Sequence, residues 1–113
     1  KQQMEDILLS RYNGNISSEV LETKTPGSYE LSQNYPNPFN PVTKINFALP
    51  KQGFVSLKIY DITGREIQTL VNDVKQAGYY SVDFNGSSLS SGVYFYMIKS
   101  GDFVMTKRML MIK

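Results

Sequence analysis

Beyond Leu31 the apolar positions recur with a period of two. Ile45, Phe47 and Leu49 alternate with Lys44, Asn46 and Ala48. Val55, Leu57 and Ile59 alternate with Ser56, Lys58 and Tyr60, and Tyr80, Val82 and Phe84 alternate with Tyr79, Ser81 and Asp83. Successive side chains of a strand point to opposite faces, so each set sends one row to a core and the other toward water, as in half-buried antiparallel strands. Residues 66–71, 93–99 and 103–112 extend the series, and 29–35 supplies a seventh candidate strand. Turn residues fall between these runs roughly every 8–12 residues, the spacing of a sandwich or barrel. The first part of the chain is different. Met4, Ile7 and Leu8 give one short helical signal that ends near Asn13-Gly14, too short to be stable alone. A polar stretch from Ile16 to Thr25 then runs to the Pro26-Gly27 break. Residues 1–28 are therefore expected to be a linker or the end of a preceding domain, and 29–113 a β-domain.

The connections carry their own chemistry. Asp61-Ile62-Thr63-Gly64 offers a carboxylate to cap its own backbone and a glycine for positive φ, which suits a type I turn with a Gly bulge. Gly101-Asp102 suits a two-residue II′ hairpin, with glycine at the first central position. Pro50 to Gly53 is expected to close another hairpin. These turns would tie 43–49, 54–60 and 66–71 into a meander and pair the last two strands.

Composition removes most chemistry. The 113 residues include no Cys, no His and no Trp. Zinc fingers, iron–sulfur clusters, c-type haem and Cys- or His-dependent triads are excluded. A net charge of +2 is too small for a nucleic-acid partner. No run approaches the ~18 apolar residues of a membrane-spanning helix. The chain starts at Lys1 with neither Met nor a charged-then-apolar leader, which is expected of a piece of a longer precursor. Asp61, Asp73, Asp83 and Asp102 stand singly, without calcium-loop spacing. No metal or cofactor is expected, and nothing singles out a catalytic carboxylate pair. The triplets at Asn15 and Asn85 match the glycosylation acceptor pattern, which is common by chance.

Three stretches stand out. Tyr35-Pro36-Asn37-Pro38-Phe39-Asn40-Pro41 cannot donate a full ladder of hydrogen bonds, so it must be an edge or a crossing loop. A rigid crossover anchored by Tyr35 and Phe39 outweighs a ligand for an aromatic groove. Leu89 to Tyr94 places Gly92 and then Tyr94 at a strand entrance. This pattern fits either the tyrosine corner of immunoglobulin-like sandwiches or a plain core tyrosine. At the end of the chain, Val93, Phe95 and Met97 make an apolar row opposite Tyr94, Tyr96 and Ile98. Residues 103–112 are apolar on both faces, punctuated by Lys107, Arg108 and Lys113. Central strands covered on both sides account for the apolar rows more simply than a Met-rich docking surface with a basic rim does.

The proline-rich stretch, followed by Thr43, Ile45, Phe47 and Leu49-Pro50, resembles the opening of the C-terminal sorting domain of type IX secretion substrates (type A). The resemblance continues through Gly53, Val55, Leu57, Ile59-Tyr60-Asp61, Gly64-Arg65-Glu66, Leu70, Ala77-Gly78, Leu89 and Ser91-Gly92-Val93-Tyr94. It ends on Lys107-Arg108-Met109-Leu110-Met111-Ile112-Lys113. A related immunoglobulin-like module of flagellar hook-capping proteins shares part of the pattern. One departure is Phe84, where the family often has Trp.

The resemblance implies an all-β, immunoglobulin-like antiparallel sandwich of about seven strands at the extreme C-terminus of a secreted protein. It implies a non-catalytic address, read by the outer-membrane translocon of certain Gram-negative bacteria. The upstream cargo would cross the periplasm and emerge secreted or at the cell surface. A sortase-like peptidase would remove the domain or exchange it for a surface anchor. Residues 107–113 are the implied translocon-recognition element. Two other functions compete. One is a retained assembly module that self-associates by strand addition, with Ile16, Val20 and Leu21 as plugs. The other is a carbohydrate-binding sandwich, for which Tyr79 could stack on sugar although packing on a strand face is the commoner role.

Overall fold

The computed structural model describes residues 25–113. The helical signal at Met4–Leu8 and the candidate plugs Ile16, Val20 and Leu21 lie outside the described residues. Seven strands follow in order: β1 (Glu30–Leu31), β2 (Val42–Leu49), β3 (Gly53–Tyr60), β4 (Glu66–Lys75), β5 (Gly78–Asn85), β6 (Gly92–Ser100) and β7 (Phe103–Met111). They form two antiparallel sheets, β1-β2-β5 and β4-β3-β6-β7. The inner rows read from the period-two pattern meet between the sheets: Ile45, Phe47 and Leu49 from β2, Val55, Leu57 and Ile59 from β3, Phe84 from β5, and Tyr96 and Ile98 from β6 are all buried. The expected all-β sandwich is the fold.

The expected meander is corrected. β2 and β3 belong to different sheets, and β2 pairs with β5 along its whole length, from Val42 opposite Asn85 to Leu49 opposite Gly78. The turn after Pro50 is thus a crossover between sheets, and among the described residues only β3–β4 and β6–β7 are hairpins. A short loop with a proline satisfies either geometry, whereas the need of both inner rows to face one core selects the crossover.

The β3–β4 turn forms as its residues dictate. Gly64 donates its N–H to the Asp61 carbonyl at 2.9 Å, Asp61 donates to the Arg65 carbonyl at 3.0 Å, and Gly64 takes φ +89°. The Asp61 carboxylate accepts the Thr63 and Arg65 N–H groups at 2.9 and 3.1 Å. The Thr63 hydroxyl, the two backbone donors and the Arg65 charge hold this carboxyl below its ordinary pKa, against a smaller opposing effect of burial. Beyond the turn, β4 runs to Lys75, past the expected Val71. Its register slips twice against β3, leaving Leu70 and Ile67 as extra residues. The bulges let Ile67, Leu70 and Val71 all pack on the core, where strict alternation would split them between faces.

The proline-rich stretch laces one side of the sandwich. Tyr35 exchanges backbone hydrogen bonds with Lys44 of β2, both at 3.0 Å. Two residues on, the Asn37 carboxamide oxygen accepts the Leu110 N–H at 3.0 Å. Phe39 then donates its N–H to the Leu110 carbonyl and accepts from Ile112, again at 3.0 Å, in a parallel bridge to β7. Pro36 and Pro38 occupy the positions between these contacts and Pro41 follows the last of them, where no donor is required. Phe39 is the anchor, 2% exposed and edge-on to Phe84. Tyr35 is not an anchor: it is 81% exposed. Its backbone is spent on β2, and the strand alternation that sends neighbouring Asn34 inward turns Tyr35 out.

Asn34 is a buried polar residue that periodicity passed over. Its side chain donates to the Thr43 hydroxyl at 3.0 Å and the Pro36 carbonyl at 3.1 Å, and its N–H reaches the Tyr96 hydroxyl at 2.8 Å. The Tyr96 hydroxyl in turn donates to the Ser32 carbonyl at 2.6 Å, so one phenol stitches residues 32–34 to the opposite sheet. Burial pushes its pKa up to about 12, partly offset by the Asn34 hydrogen bond.

Candidate functional site

The last two strands form a ribbon closed by Gly101-Asp102, with Gly101 at φ +59° in the first central position and Ser100 opposite Phe103. Alternation sorts its side chains. Tyr94, Tyr96 and Ile98 of β6 and Met109 and Met111 of β7 face the core. Val93, Phe95 and Met97 of β6 and Val104, Thr106, Arg108 and Leu110 of β7 form the opposite, outward row. Val93 stands beside Leu110, Phe95 beside Arg108 and Met97 beside Thr106.

Two expectations about this ribbon change. β7 is not a central strand: it is the edge of its sheet, and the proline-rich stretch covers only its Leu110–Ile112 end. The outward row of β6 is half-buried, and no strand among the described residues lies over it. A hollow of ≈ 310 Å³ opens between Phe95, Met97, Thr106 and the β3–β4 turn residues Tyr60 and Ile62. A second, of ≈ 250 Å³, lies between Asn37-Pro38 and Val93, Arg108 and Leu110. Together they bracket an apolar strip with one guanidinium beside it. Lys44, Lys58 and Arg65 are ion-paired with Asp83, Glu66 and Asp61, and no such pair holds Arg108 among the described residues.

The side chains of residues 107–113 are thus divided between the two faces of the ribbon. Met109 and Met111 are 1% and 0% exposed and complete the core. Burying such side chains contributes about 1.5–3 kcal/mol each. Lys107 sits half-buried on the inward row beside Tyr96. Arg108, Leu110 and Ile112 are exposed, the last two at 38% and 50%. Lys113 is exposed but tied down: its N–H reaches the Ser91 hydroxyl at 2.8 Å and its ammonium the Ser87 carbonyl at 2.9 Å.

The loop before β6 resolves the two possibilities for Tyr94. Its hydroxyl donates to the Ser90 carbonyl four residues back, at 2.6 Å, which is the tyrosine-corner bond. Gly92 opens β6 opposite Met111. Asn40 is exposed and Pro41 half-exposed, with the Pro41 carbonyl accepting the Gly86 N–H at 2.8 Å. Gly86 itself was missed by sequence reasoning. A Cβ there would lie 2.7 Å from Met111 Sδ, so the bare backbone is what lets Met111 enter the core.

The proline-laced crossover, the tyrosine corner and the ribbon run through one contiguous stretch of chain, and a family match covers it. The model of the secretion system C-terminal sorting domain matches residues 33–113. The chain belongs to that family. No curated protein matches it. The sorting-domain family is that of type IX secretion substrates, a non-catalytic signal that engages the secretion machinery and leads out through the outer membrane toward the cell surface or medium. In this sorting domain Phe39, Gly64, Tyr94, Met109 and Met111 help build the sandwich, whereas Tyr35, Arg108 and Leu110 remain on its surface.

Proposed function

We propose that residues 29–113 are the address read by the type IX translocon, and that it is read on the outward row of the ribbon. Arg108 and Leu110 form the centre of the contact, with Val93, Phe95 and Met97 alongside and Ile112 at its end. The observation that carries this is the half-exposed apolar strip on β6, with a guanidinium at its edge that is in no ion pair among the described residues. Exposed apolar surface of this kind is what partner sites are made of. Met109 and Met111 serve the signal indirectly, by holding the ribbon flat against the core. Residues 1–28 link the domain to an upstream cargo, which transits the periplasm. A sortase-like peptidase then cuts the domain away or exchanges it for a surface anchor.

Deleting 103–113 would remove an entire strand and both core methionines, so loss of export would report only unfolding. Surface variants are the sharper test. A periplasmic reporter ending in this chain should appear outside a type IX-competent cell. Arg108→Glu with Leu110→Ser should retain it in the periplasm while leaving the thermal midpoint of the isolated chain within a few degrees. Undiminished export of the folded double variant would reject the assignment.

A second reading, assembly by strand addition, is favoured by one feature. β5 pairs with β2 on one side and with no strand on the other among the described residues. Sedimentation velocity across a hundredfold concentration range would reveal such self-association.

A further inference from the structure

The outer face of the three-stranded sheet, remote from the ribbon's outward row, carries a hollow that sorting leaves unused. Glu30, Ala48 and Tyr79 stand in one cross-strand row, and Asn46 and Ser81 in the next. These side chains share the face turned away from Phe47 and Tyr80, whose stacked rings lie 5.2 Å apart. Ala48 contributes only a methyl between two longer neighbours, and the gap is a hollow of ≈ 360 Å³ bordered also by Ser32. That volume lies in the ~300–1,000 Å³ range of small-molecule sites.

The lining has a definite chemical character. Tyr79 stands beside the gap and is 67% exposed. Around it are a carboxylate, a carboxamide and two hydroxyls, from Glu30, Asn46, Ser32 and Ser81. None of these four side chains takes part in a hydrogen bond among the described residues, unlike Asn34, Thr43 and Asp61 elsewhere in the fold. Among the described residues no Lys or Arg borders the hollow. A phosphate, a sulfate or an acidic sugar would meet Glu30 with nothing to neutralise it. A lipid chain would leave the amide and hydroxyls unsatisfied. A ring with an apolar C–H face and a rim of hydroxyls matches both halves of the lining.

We propose that this hollow binds a neutral pyranose unit, with Tyr79 stacked on its C–H face and Glu30 and Asn46 holding its hydroxyls. The site is shallow, so its affinity falls in the millimolar range. Glu30 sets the selectivity by repelling uronic acids.

The test is an amide-resolved NMR titration of the full chain with cellobiose, maltose and di-N-acetylchitobiose, with galacturonate and tetramethylammonium as contrasts. At least one neutral sugar should give saturable shifts centred on Ala48, Tyr79 and Ser81. Tyr79→Ala should weaken that binding by about tenfold or more, and Tyr79→Phe by no more than about threefold. Asn46→Ala should weaken it as well, and Glu30→Gln should admit galacturonate. Tyr79 is largely exposed, so its variants should fold, and the dispersion of each spectrum checks this directly. The proposal is overturned if no neutral sugar gives saturable shifts, if the shifts survive Tyr79→Ala, or if only the ammonium ion binds.

Discussion

Removing one oxygen, by Tyr96→Phe, separates the lacing of the sandwich from the packing of its core. The ring is 0% exposed and would stay in place, so the loss is confined to the hydroxyl. That hydroxyl accepts the Asn34 N–H at 2.8 Å and donates to the Ser32 carbonyl at 2.6 Å. Asn34 is 2% exposed, so its N–H would be left without water or protein, at a cost of about 1–3 kcal/mol. Ser32 is an exposed residue, so loss of its bond adds less. A net loss of about 2 kcal/mol corresponds to a drop in Tm of roughly 8–16 °C for a domain of this size. Alkaline pH supplies a second signature. The folded-state pKa of Tyr96 is about 12, against 10.0 when unfolded, so the native state holds this proton more tightly. Its contribution is fully present below pH 10 and is lost as pH rises from 10 to 12, on the order of 2 kcal/mol. Urea unfolding at pH 7 and across pH 9–12 measures both. The wild-type curve should fall more steeply than that of Tyr96→Phe above pH 10. A variant as stable as wild type at pH 7, with a parallel alkaline decline, would mean that this phenol is not what ties residues 32–34 down.

Other outcomes follow from the same geometry. Gly86→Ala should destabilise the domain by about 1–3 kcal/mol in denaturant unfolding, because the new methyl displaces the buried Met111 sulfur. Met109→Lys should unfold the domain or cost more than about 3 kcal/mol, whereas Leu110→Lys should stay within roughly 0.5 kcal/mol of wild type. Circular dichroism melts distinguish the two, and similar melts would contradict the inward–outward assignment of β7. The Asp61 carboxyl and that of Glu66, which is held by Thr69 and Lys58, are both lowered from their ordinary pKa values. Their stabilisation is present above pH about 4 and is lost as the pH falls through the depressed values. Asp61→Asn should therefore flatten the acid limb of the stability–pH profile, as read by urea midpoints between pH 2 and 6.

The inner rows were legible because period two is the direct imprint of a face that packs and a face that does not. Ile45, Leu57 and Phe84 were placed correctly on that ground alone. Sheet membership was not legible: β2 and β3 carry the same alternation whether they pair or cross, and only the joint burial of both rows decides. The bulges at Ile67 and Leu70 were hidden for a related reason, since they break the period that identifies a strand. Tyr35 and Phe39 looked equivalent because aromatic character marks an anchor without saying which way it points. At the ribbon, the family resemblance pools Lys107 to Lys113 into one element. The pleat divides them, sending Met109 and Met111 inward and Arg108 and Leu110 outward. Asn34 and Gly86 carried no periodic signal, as their roles are a hydrogen-bond junction and an empty Cβ position.

Site-specific photocrosslinking during export bears most directly on recognition by the outward row. A benzophenone side chain replacing Leu110, on the ribbon, or Tyr79, on the far sheet, leaves the core untouched in either case. Irradiation of type IX-competent cells exporting the fusion should yield an adduct with an outer-membrane component of the secretion machinery from position 110, and none from position 79. An adduct from position 79 alone, or equal adducts from both, would place the contact elsewhere on the sandwich.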